Sequence, residues 1–241
     1  MNNNRQILSL GTILAVWAHP DDETWNSAGL MMAAVTNGQR VVIVTATRGE
    51  LGSVDTKRWP LATLDKVRET ELASALKVIG INEHYWLNYP DGGCSDIESA
   101  SACNQLKEIF DKVRPDTVIT FGPDGLTGHA DHKAVGHWAR TVASASNPKP
   151  TLYEVIESQE KYEKIDQKAD KLLNIFFKTA SPRMLPEAAM DICFKLPPDL
   201  LNKKLTAIAA HVSQYEKLME CLKNGSISSD IAGTECFMKA K

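Results

Sequence analysis

The sequence predicts an α/β fold in which a mostly parallel sheet is flanked by helices on both faces. Short, uninterrupted apolar segments rich in Val and Ile alternate along the chain with longer segments that have helical periodicity. Strands that are buried on both faces give such apolar segments, because neither face of a covered parallel sheet meets water. The alternation of the two kinds of segment is typical of strand–helix–strand units.

The first half of the chain gives this alternation most clearly. An apolar strand precedes a helix that is closed by Asn37-Gly38, residues that commonly end helices, and a second apolar strand follows. The elements predicted in this half are strands at 12–18, 40–47 and 84–87 and helices at 26–35, 61–79 and 97–113.

The second half continues the pattern, with turn residues at its boundaries. Pro115 and Gly122-Pro123 bracket a strand at 117–121, and a Gly-rich loop at 124–128 leads to a helix at 133–145. A strand at 152–156 and a charged segment at 158–171, which we expect to be exposed and partly helical, come next. The last predicted elements are a strand at 190–196 and one long helix at 200–222.

Length and composition favour a globular protein that acts on a small molecule. With 241 residues, 43% of them hydrophobic and 24% charged, the chain is expected to form one domain, residues 1–241. A net charge of −3 gives no electrostatic reason to expect a nucleic-acid partner, because such partners usually require a basic face. The apolar segment at 7–18 imitates a short signal peptide, but it continues into a chemical motif, so we expect a buried strand, no membrane insertion and a cytoplasmic location. The five scattered cysteines predict reduced thiols.

Two polar clusters stand where predicted strands end. Ala18-His19-Pro20-Asp21-Asp22-Glu23 follows the first strand, and His129-Ala130-Asp131-His132 follows the strand at 117–121. Ligand sites of open α/β sheets lie beyond the carboxyl ends of the strands, so the two clusters are expected to meet there. Hydrolytic zinc sites use three His or carboxylate ligands and leave one position for water. His19, Asp22 and His132 would supply that set.

The remaining side chains of the two clusters suit hydrolysis. Asp21, if the metal does not use it, can accept a proton from the attacking water as a general base. His129, as an imidazolium, could stabilise an oxyanion and protonate the leaving amine, with Asp131 keeping it charged.

Other interpretations stay open at this point. A strand-end Asp can simply cap the following helix, and a lone His is often structural. The same metal could hydrolyse another small amide, an ester or a phosphoester, or the pocket could bind a sugar without turnover. A nicotinamide site is excluded, because no GxGxxG follows the first strand and the acids there would repel a pyrophosphate.

The two clusters resemble the PIG-L/LmbE-like family of metal-dependent N-deacetylases. Four weaker motifs add to the resemblance, and it spans most of the chain: Thr47-Arg48-Gly49-Glu50-Leu51-Gly52, Arg68-Glu69-Thr70-Glu71, Tyr89-Pro90-Asp91-Gly92 and Ala210-His211-Val212-Ser213-Gln214. One departure is Ala130, where many members have Pro. It affects the stiffness of the loop and leaves the ligands in place.

The resemblance implies a Rossmann-like fold and removal of the N-acetyl group from an N-acetylglucosamine-type sugar or conjugate. It implies Zn²⁺, with Fe²⁺ as the alternative, held by His19, Asp22 and His132, with Asp21 as the general base and His129 as the oxyanion partner. Substrate contacts are expected from Arg48, Asp91 and His211, although His211 could instead pack in the interior. The only partner expected is the small N-acetylated substrate, and a homo-oligomer is left open.

Overall fold

The computed structural model describes residues 7–52, 55–173 and 183–240. Its central sheet has seven strands, in the spatial order β3-β2-β1-β4-β5-β7-β6. They are β1 Ile13–Trp17, β2 Val41–Thr45, β3 Glu83–Trp86, β4 Thr117–Phe121, β5 Thr151–Val155, β6 Ile192–Lys195 and β7 Thr234–Lys239. The helices of eight or more residues are α1 Asp22–Thr36, α2 Leu61–Ile79, α3 Ser99–Val113, α4 Ala130–Ala145, α5 Pro198–Ala210 and α6 Val212–Lys223.

The first five strands run parallel to one another. Their β-branched residues suit a sheet that is buried on both faces, and every residue of β1, β2 and β4 is buried. Helices α1, α2 and α5 pack together, and α3 packs against α4. The predicted α/β architecture, with helices on both faces of a mostly parallel sheet, is therefore confirmed.

The strand order reverses direction between β1 and β4. The chain moves from β1 to β2 and β3 on one side, then returns to place β4 on the other side of β1. At such a switch point the loops that follow the two central strands diverge and leave a crevice. Trp17 at the end of β1 packs edge-to-face on Phe121 at the end of β4, with ring centroids 4.9 Å apart, and this contact forms a rigid floor for the crevice.

The C-terminal part departs from the sequence prediction. Strand β7 was not predicted, yet it lies between β5 and β6 and pairs antiparallel with both. Its sequence, TECFMK, contains a buried glutamate, Glu235, that interrupts the apolar signature of a central strand. The single helix predicted at 200–222 is wrong as well, because His211 has φ −85° and ψ 60° and separates α5 from α6.

Two further expectations need correction. The segment at 158–171 is partly helical, as predicted, but it is not simply exposed: Lys161 and Asp166 are buried, with 2.6 Å between Nζ and Oδ2. Cys193 and Cys236, opposite each other on β6 and β7, form a disulfide, so the prediction of five reduced thiols is wrong for this pair. Cys94, Cys103 and Cys221 are free thiols. No helix within the described ranges has the length and apolar character needed to cross a bilayer.

Candidate metal centre and active site

The two polar clusters meet in the crevice between β1 and β4. His19 Nδ1 lies 3.2 Å from His132 Nε2 and 3.5 Å from Asp22 Oδ2, and His132 Nε2 lies 3.4 Å from Asp22 Oδ1. All three side chains are buried. Residues more than a hundred positions apart thus come together as the strand-end argument predicts.

The spacing of these three residues fits a tetrahedral metal. With bonds of about 2.0 to 2.1 Å, as zinc forms to His and carboxylate, neighbouring ligand atoms lie about 3.3 Å apart. The distances between His19, Asp22 and His132 are close to that value. The chain therefore presents one triangular face of a tetrahedral site.

Hydrogen bonds hold both imidazoles in the tautomer that such a metal needs. His132 Nδ1 lies 2.9 Å from the carbonyl oxygen of Gly125, to which it can only donate, so Nε2 carries the lone pair. The ring also stacks on Phe121 with centroids 4.0 Å apart. His19 Nε2 lies 3.1 Å from Asp91 Oδ1 and 3.2 Å from Asp131 Oδ2, which places its proton there and leaves Nδ1 for the metal.

The charges of the site favour a bound cation. Burial opposes a charge on His19, but the carboxylates of Asp131, Asp22 and Asp91 outweigh it and raise the pKa of His19 well above its ordinary value. Burial also opposes the charge of Asp22, yet His132 and His19 lower the pKa of Asp22 to about 2. Three carboxylates around one imidazole thus leave an excess of negative charge that a divalent metal would neutralise.

Asp21 lies beside the metal ligands in a strained conformation. Its φ of 101° is outside the region that residues other than glycine normally adopt, at a cost of about 1 to 3 kcal/mol. Its carboxylate Oδ2 lies 3.2 Å from Arg68 Nη2 and takes no part in the triangle of ligand atoms. Burial raises the pKa of Asp21 to about 7, with Arg68 opposing the shift.

His129 is the N-cap of α4, and its ring lies 4.8 Å from that of His19. Its Nδ1 accepts a hydrogen bond of 3.1 Å from the backbone N–H of Asp131. A nitrogen that accepts this bond carries no proton, so the cap favours the neutral ring with its proton on Nε2. The imidazolium expected from the sequence would have to break the cap.

Asp131 faces His19 rather than His129. Its carboxylate accepts hydrogen bonds from the backbone N–H groups of Gly92 and Cys94, at 2.7 and 3.1 Å, in addition to its contact with His19 Nε2. The side chain is 0% exposed. Its place in the structure is that of a residue that orients a metal ligand.

The three predicted substrate contacts lie in different surroundings. Asp91 is directed at His19 and accepts the N–H of Leu51, so it too orients the ligand. Arg48 donates to Asn88 Oδ1 at 2.8 Å, lies 4.7 Å above the ring of Trp86 and has its Nε 3.5 Å from Glu69 Oε2. His211 is 0% exposed and lies against Glu23 and Thr24, a position that offers it to no substrate.

Arg68 contacts Asp21, but the sequence indicated it only as part of a motif, with no role in the site. Its buried guanidinium donates to the carbonyl oxygens of Gly49 and Pro20, and it pairs with Asp21. A signal was present, because Leu64, Arg68 and Leu72 are spaced at i and i+4 on the buried face of α2. A charge on that apolar stripe indicates a buried partner.

Comparison with known proteins identifies the family. The model described as PIG-L: GlcNAc-PI de-N-acetylase matches residues 14–143, more than half of the chain and both ligand clusters. The chain belongs to this family. The resemblance that the sequence motifs indicated is therefore confirmed.

Relatives and neighbours agree with this family over nearly the full chain. A deacetylase of 1D-myo-inositol 2-acetamido-2-deoxy-alpha-D-glucopyranoside from Saccharomonospora viridis is 28% identical, covering 95% of each chain. Among solved structures, the N,N'-diacetylchitobiose deacetylase of Pyrococcus horikoshii has a TM-score of 0.66 and 21% identity, covering 100% of this chain and 87% of its own.

The shared fold does not by itself define the reaction. The 4-carboxy-2-hydroxymuconate hydratase GalB of Pseudomonas putida has a TM-score of 0.62 and 16% identity, covering 96% of both chains. At such identities the likeness establishes the fold alone. The reaction has to be argued from the side chains in the crevice.

Proposed function

We propose that this protein is a metal-dependent hydrolase that removes the N-acetyl group from an N-acetylglucosamine-type sugar or conjugate. The observation that carries the proposal is the triangle of His19 Nδ1, Asp22 and His132 Nε2, with a separate carboxylate, Asp21, beside it. Amide hydrolysis at a single metal requires three protein ligands and a general base that does not itself bind the metal.

The proposed metal is Zn²⁺, with Fe²⁺ as the alternative. Two imidazoles and one carboxylate suit either ion, and the tetrahedral spacing favours zinc. When bound, the metal supplies a Lewis acid that polarises the acetyl carbonyl and lowers the pKa of a water molecule.

Asp21 acts as the general base in this proposal. Its carboxylate accepts a proton from the water as the water attacks the carbonyl carbon. Arg68 orients that carboxylate through the contact between Nη2 and Oδ2. When the carbon–nitrogen bond breaks, the same proton passes from Asp21 to the departing nitrogen, and the amine and acetic acid are released. The acid then gives up its proton, which the amine takes in solution, so the final products are acetate and an ammonium group.

His129 stabilises the tetrahedral intermediate. With Nδ1 occupied by the N-cap bond, the ring can donate its Nε2 proton to the negatively charged oxygen while it stays neutral. This role requires no imidazolium. It therefore leaves the second proton transfer to Asp21.

The substrate class follows from the family and its relatives. The relative from Saccharomonospora viridis is named for an N-acetylglucosamine linked to inositol, and the relative from Pyrococcus horikoshii for a diacetylated chitobiose. The shared chemical group is a 2-acetamido sugar. A single catalytic domain and a cytoplasmic location stay predictions of the sequence, and the oligomeric state stays open. Selectivity for the rest of the substrate is proposed to lie in the loops around the crevice.

The test is release of free amine by the purified full chain. The protein is stripped of metal with a chelator, reloaded with Zn²⁺ or, anaerobically, with Fe²⁺, and incubated with N-acetylglucosamine, diacetylchitobiose and the inositol conjugate. Metal-dependent amine release with at least one of them is expected. Saturable binding of these sugars without amine release by either metal form would contradict the proposal and favour a binding protein.

A further inference from the structure

The junction between α5 and α6 contacts the first residues of α1, directly after the proposed base Asp21. His211, the residue at the junction, has its Nε2 3.2 Å from Thr24 Oγ1 and 3.4 Å from Glu23 Oε1. Both His211 and Glu23 are 0% exposed. Burying two such groups is unfavourable unless they are paired, so this contact is a specific feature of the interior.

Glu23 connects His211 to the backbone of Asp21. One carboxylate oxygen, Oε2, accepts the N–H of Asp21 at 3.1 Å. The other, Oε1, accepts the hydroxyl of Thr24 and faces His211. A continuous chain of polar contacts therefore runs from the α5–α6 junction to the backbone of the proposed base.

Asp21 needs such support because of its backbone. With φ 101° and ψ −28°, it occupies a conformation that a residue with a side chain rarely adopts without external bonds. Arg68 fixes the side-chain end and the preceding carbonyl, through Asp21 Oδ2 and Pro20 O. Glu23 fixes the N–H end.

The same junction also holds the helix that carries Arg68. Glu71, three residues after Arg68 in α2, accepts the backbone N–H and the hydroxyl of Ser213, both at 2.7 Å. The junction therefore contacts both helices that position the base, α1 through Glu23 and α2 through Glu71.

We propose that His211 and Glu23 are positioning residues that hold the backbone of Asp21 in its strained, catalytically competent conformation. The proposal rests on the role of Asp21 as general base. Neither residue touches the substrate. Their loss should therefore lower kcat while KM and the metal content change little, because a small misplacement of a catalytic group can reduce the rate about 100-fold.

The experiment compares five variants of the full chain. Glu23→Ala and His211→Ala break the chain of contacts, and Thr24→Val removes its bridging hydroxyl with little change in shape. Glu23→Gln keeps an oxygen that can accept the N–H of Asp21. Thr117→Val is the control, because it removes a buried hydrogen bond of 2.7 Å from the Thr117 hydroxyl to the carbonyl oxygen of Leu10, at the amino end of β4.

Three quantities are measured for each variant: bound metal per chain, kcat and KM for amine release, and hydrogen–deuterium exchange of the peptide that spans 18–25. We expect faster exchange in this peptide and a ~10- to 100-fold lower kcat for the two alanine variants, with metal retained. Glu23→Gln should stay within about threefold of the unmodified protein, and Thr117→Val should match it in both quantities.

Two results would overturn the inference. One is unchanged exchange at 18–25 in the alanine variants or, should they fail to fold, in Thr24→Val. The other is a loss of kcat in Thr117→Val as large as in His211→Ala, which would show a general effect of destabilisation. Hydrogen–deuterium exchange does not depend on turnover. The positioning role can therefore be contradicted while the deacetylase proposal stands, and the deacetylase proposal can be contradicted while the positioning role stands.

Discussion

The five parallel strands and the C-terminal segment at 183–240 contribute different things to one site. The loops after β1 and β4 and the first turns of the helices that follow them carry the whole proposed ligand set and the base. The C-terminal segment carries buried polar groups that contact the first helix, namely His211 through Glu23 and Lys204 through Glu235. The comparison shows that strand topology brings the reactive groups together and that a later segment fixes their positions.

The ion pair of the C-terminal segment illustrates this division. Lys204 and Glu235 are both almost fully buried, and Nζ lies 2.7 Å from Oε1. The Glu235 carboxylate also accepts the N–H groups of Gly29 and Leu30, inside the helix that begins at Asp22. The pair therefore fixes α1 without approaching the metal ligands.

The largest expected effect, on metal content and turnover, comes from removing a proposed metal ligand in the half of the chain that forms the parallel strands. His132→Ala should remove a ligand, so bound metal falls well below one per chain and turnover drops about 10³-fold or more. Metal analysis and amine release check both. His137→Ala, an exposed histidine on the same helix, is the matched control and should keep metal and activity. Full metal content in His132→Ala would contradict the ligand set.

Removing the base should separate chemistry from metal binding. Asp21→Asn keeps the shape of the side chain and loses the proton acceptor, so kcat should fall by ~10²- to 10⁴-fold while metal content stays near one per chain. Asp111→Asn, exposed on α3, is the control. Undiminished turnover in Asp21→Asn would assign the base elsewhere.

Breaking the C-terminal ion pair should lower the stability of the protein and leave its turnover unchanged, which is the opposite of the effect of removing the base. Lys204→Met leaves Glu235 buried without its partner, so the free energy of unfolding should fall by about 3 to 5 kcal/mol, while kcat per folded molecule is retained. Denaturant unfolding measures the first quantity, with exposed Lys203→Met as the control. A loss below about 1 kcal/mol would mean that the pair does not anchor the segment.

A smaller effect is expected where a carboxylate orients a ligand. Asp91→Asn should weaken metal binding by about 10- to 100-fold, because the neutral amide is a weaker acceptor for the His19 Nε2 proton than the carboxylate that it replaces. Competition with a chelator measures the affinity, and exposed Asp96→Asn serves for comparison. Equal affinity in the two variants would show that Asp131 alone orients His19.

The smallest effect concerns His84 in β3, whose Nε2 lies 3.0 Å from Thr45 Oγ1. Burial lowers the pKa of His84 to about 4, so the folded state favours the neutral ring. The stability that results is present above pH ~6.5 and is lost as the pH falls towards 4, by about 1 to 2 kcal/mol for this partly exposed group. Urea unfolding at pH 7 and pH 4.5 should show a smaller acid loss in His84→Gln, and identical losses would contradict the assignment.

The sequence predicted the parallel half well for a physical reason. Strands buried on both faces leave long apolar segments, and the residues directly after them must share one edge of the sheet, so His19 and His132 could be paired before any coordinates. The distances between the ligand atoms and the histidine tautomers that Gly125 and Asp91 fix could not be predicted from the sequence, because both depend on loop conformation.

The C-terminal segment was predicted less well because tertiary contacts override its local pattern. Glu235 hides a central strand, and its partner Lys204 lies 31 positions away. No Gly or Pro marks the break between α5 and α6 at His211. Contacts with Glu23 and Glu71 stabilise the two helix ends there instead. The contacts of Arg48 with Asn88 and Trp86 are likewise properties of packing that spacing does not encode.

The most direct test of the central claim is anomalous diffraction from crystals of the zinc-loaded protein. The account predicts one ion per chain bound by His19 Nδ1, Asp22 and His132 Nε2, with Asp21 outside the coordination sphere. Two competing groups lie within the described residues: His19 with His129 and His132, and, on Nε2 of the same imidazole, the cluster of His19, Asp91 and Asp131. Zinc at that cluster, with Asp22 and His132 not coordinated, would contradict the account.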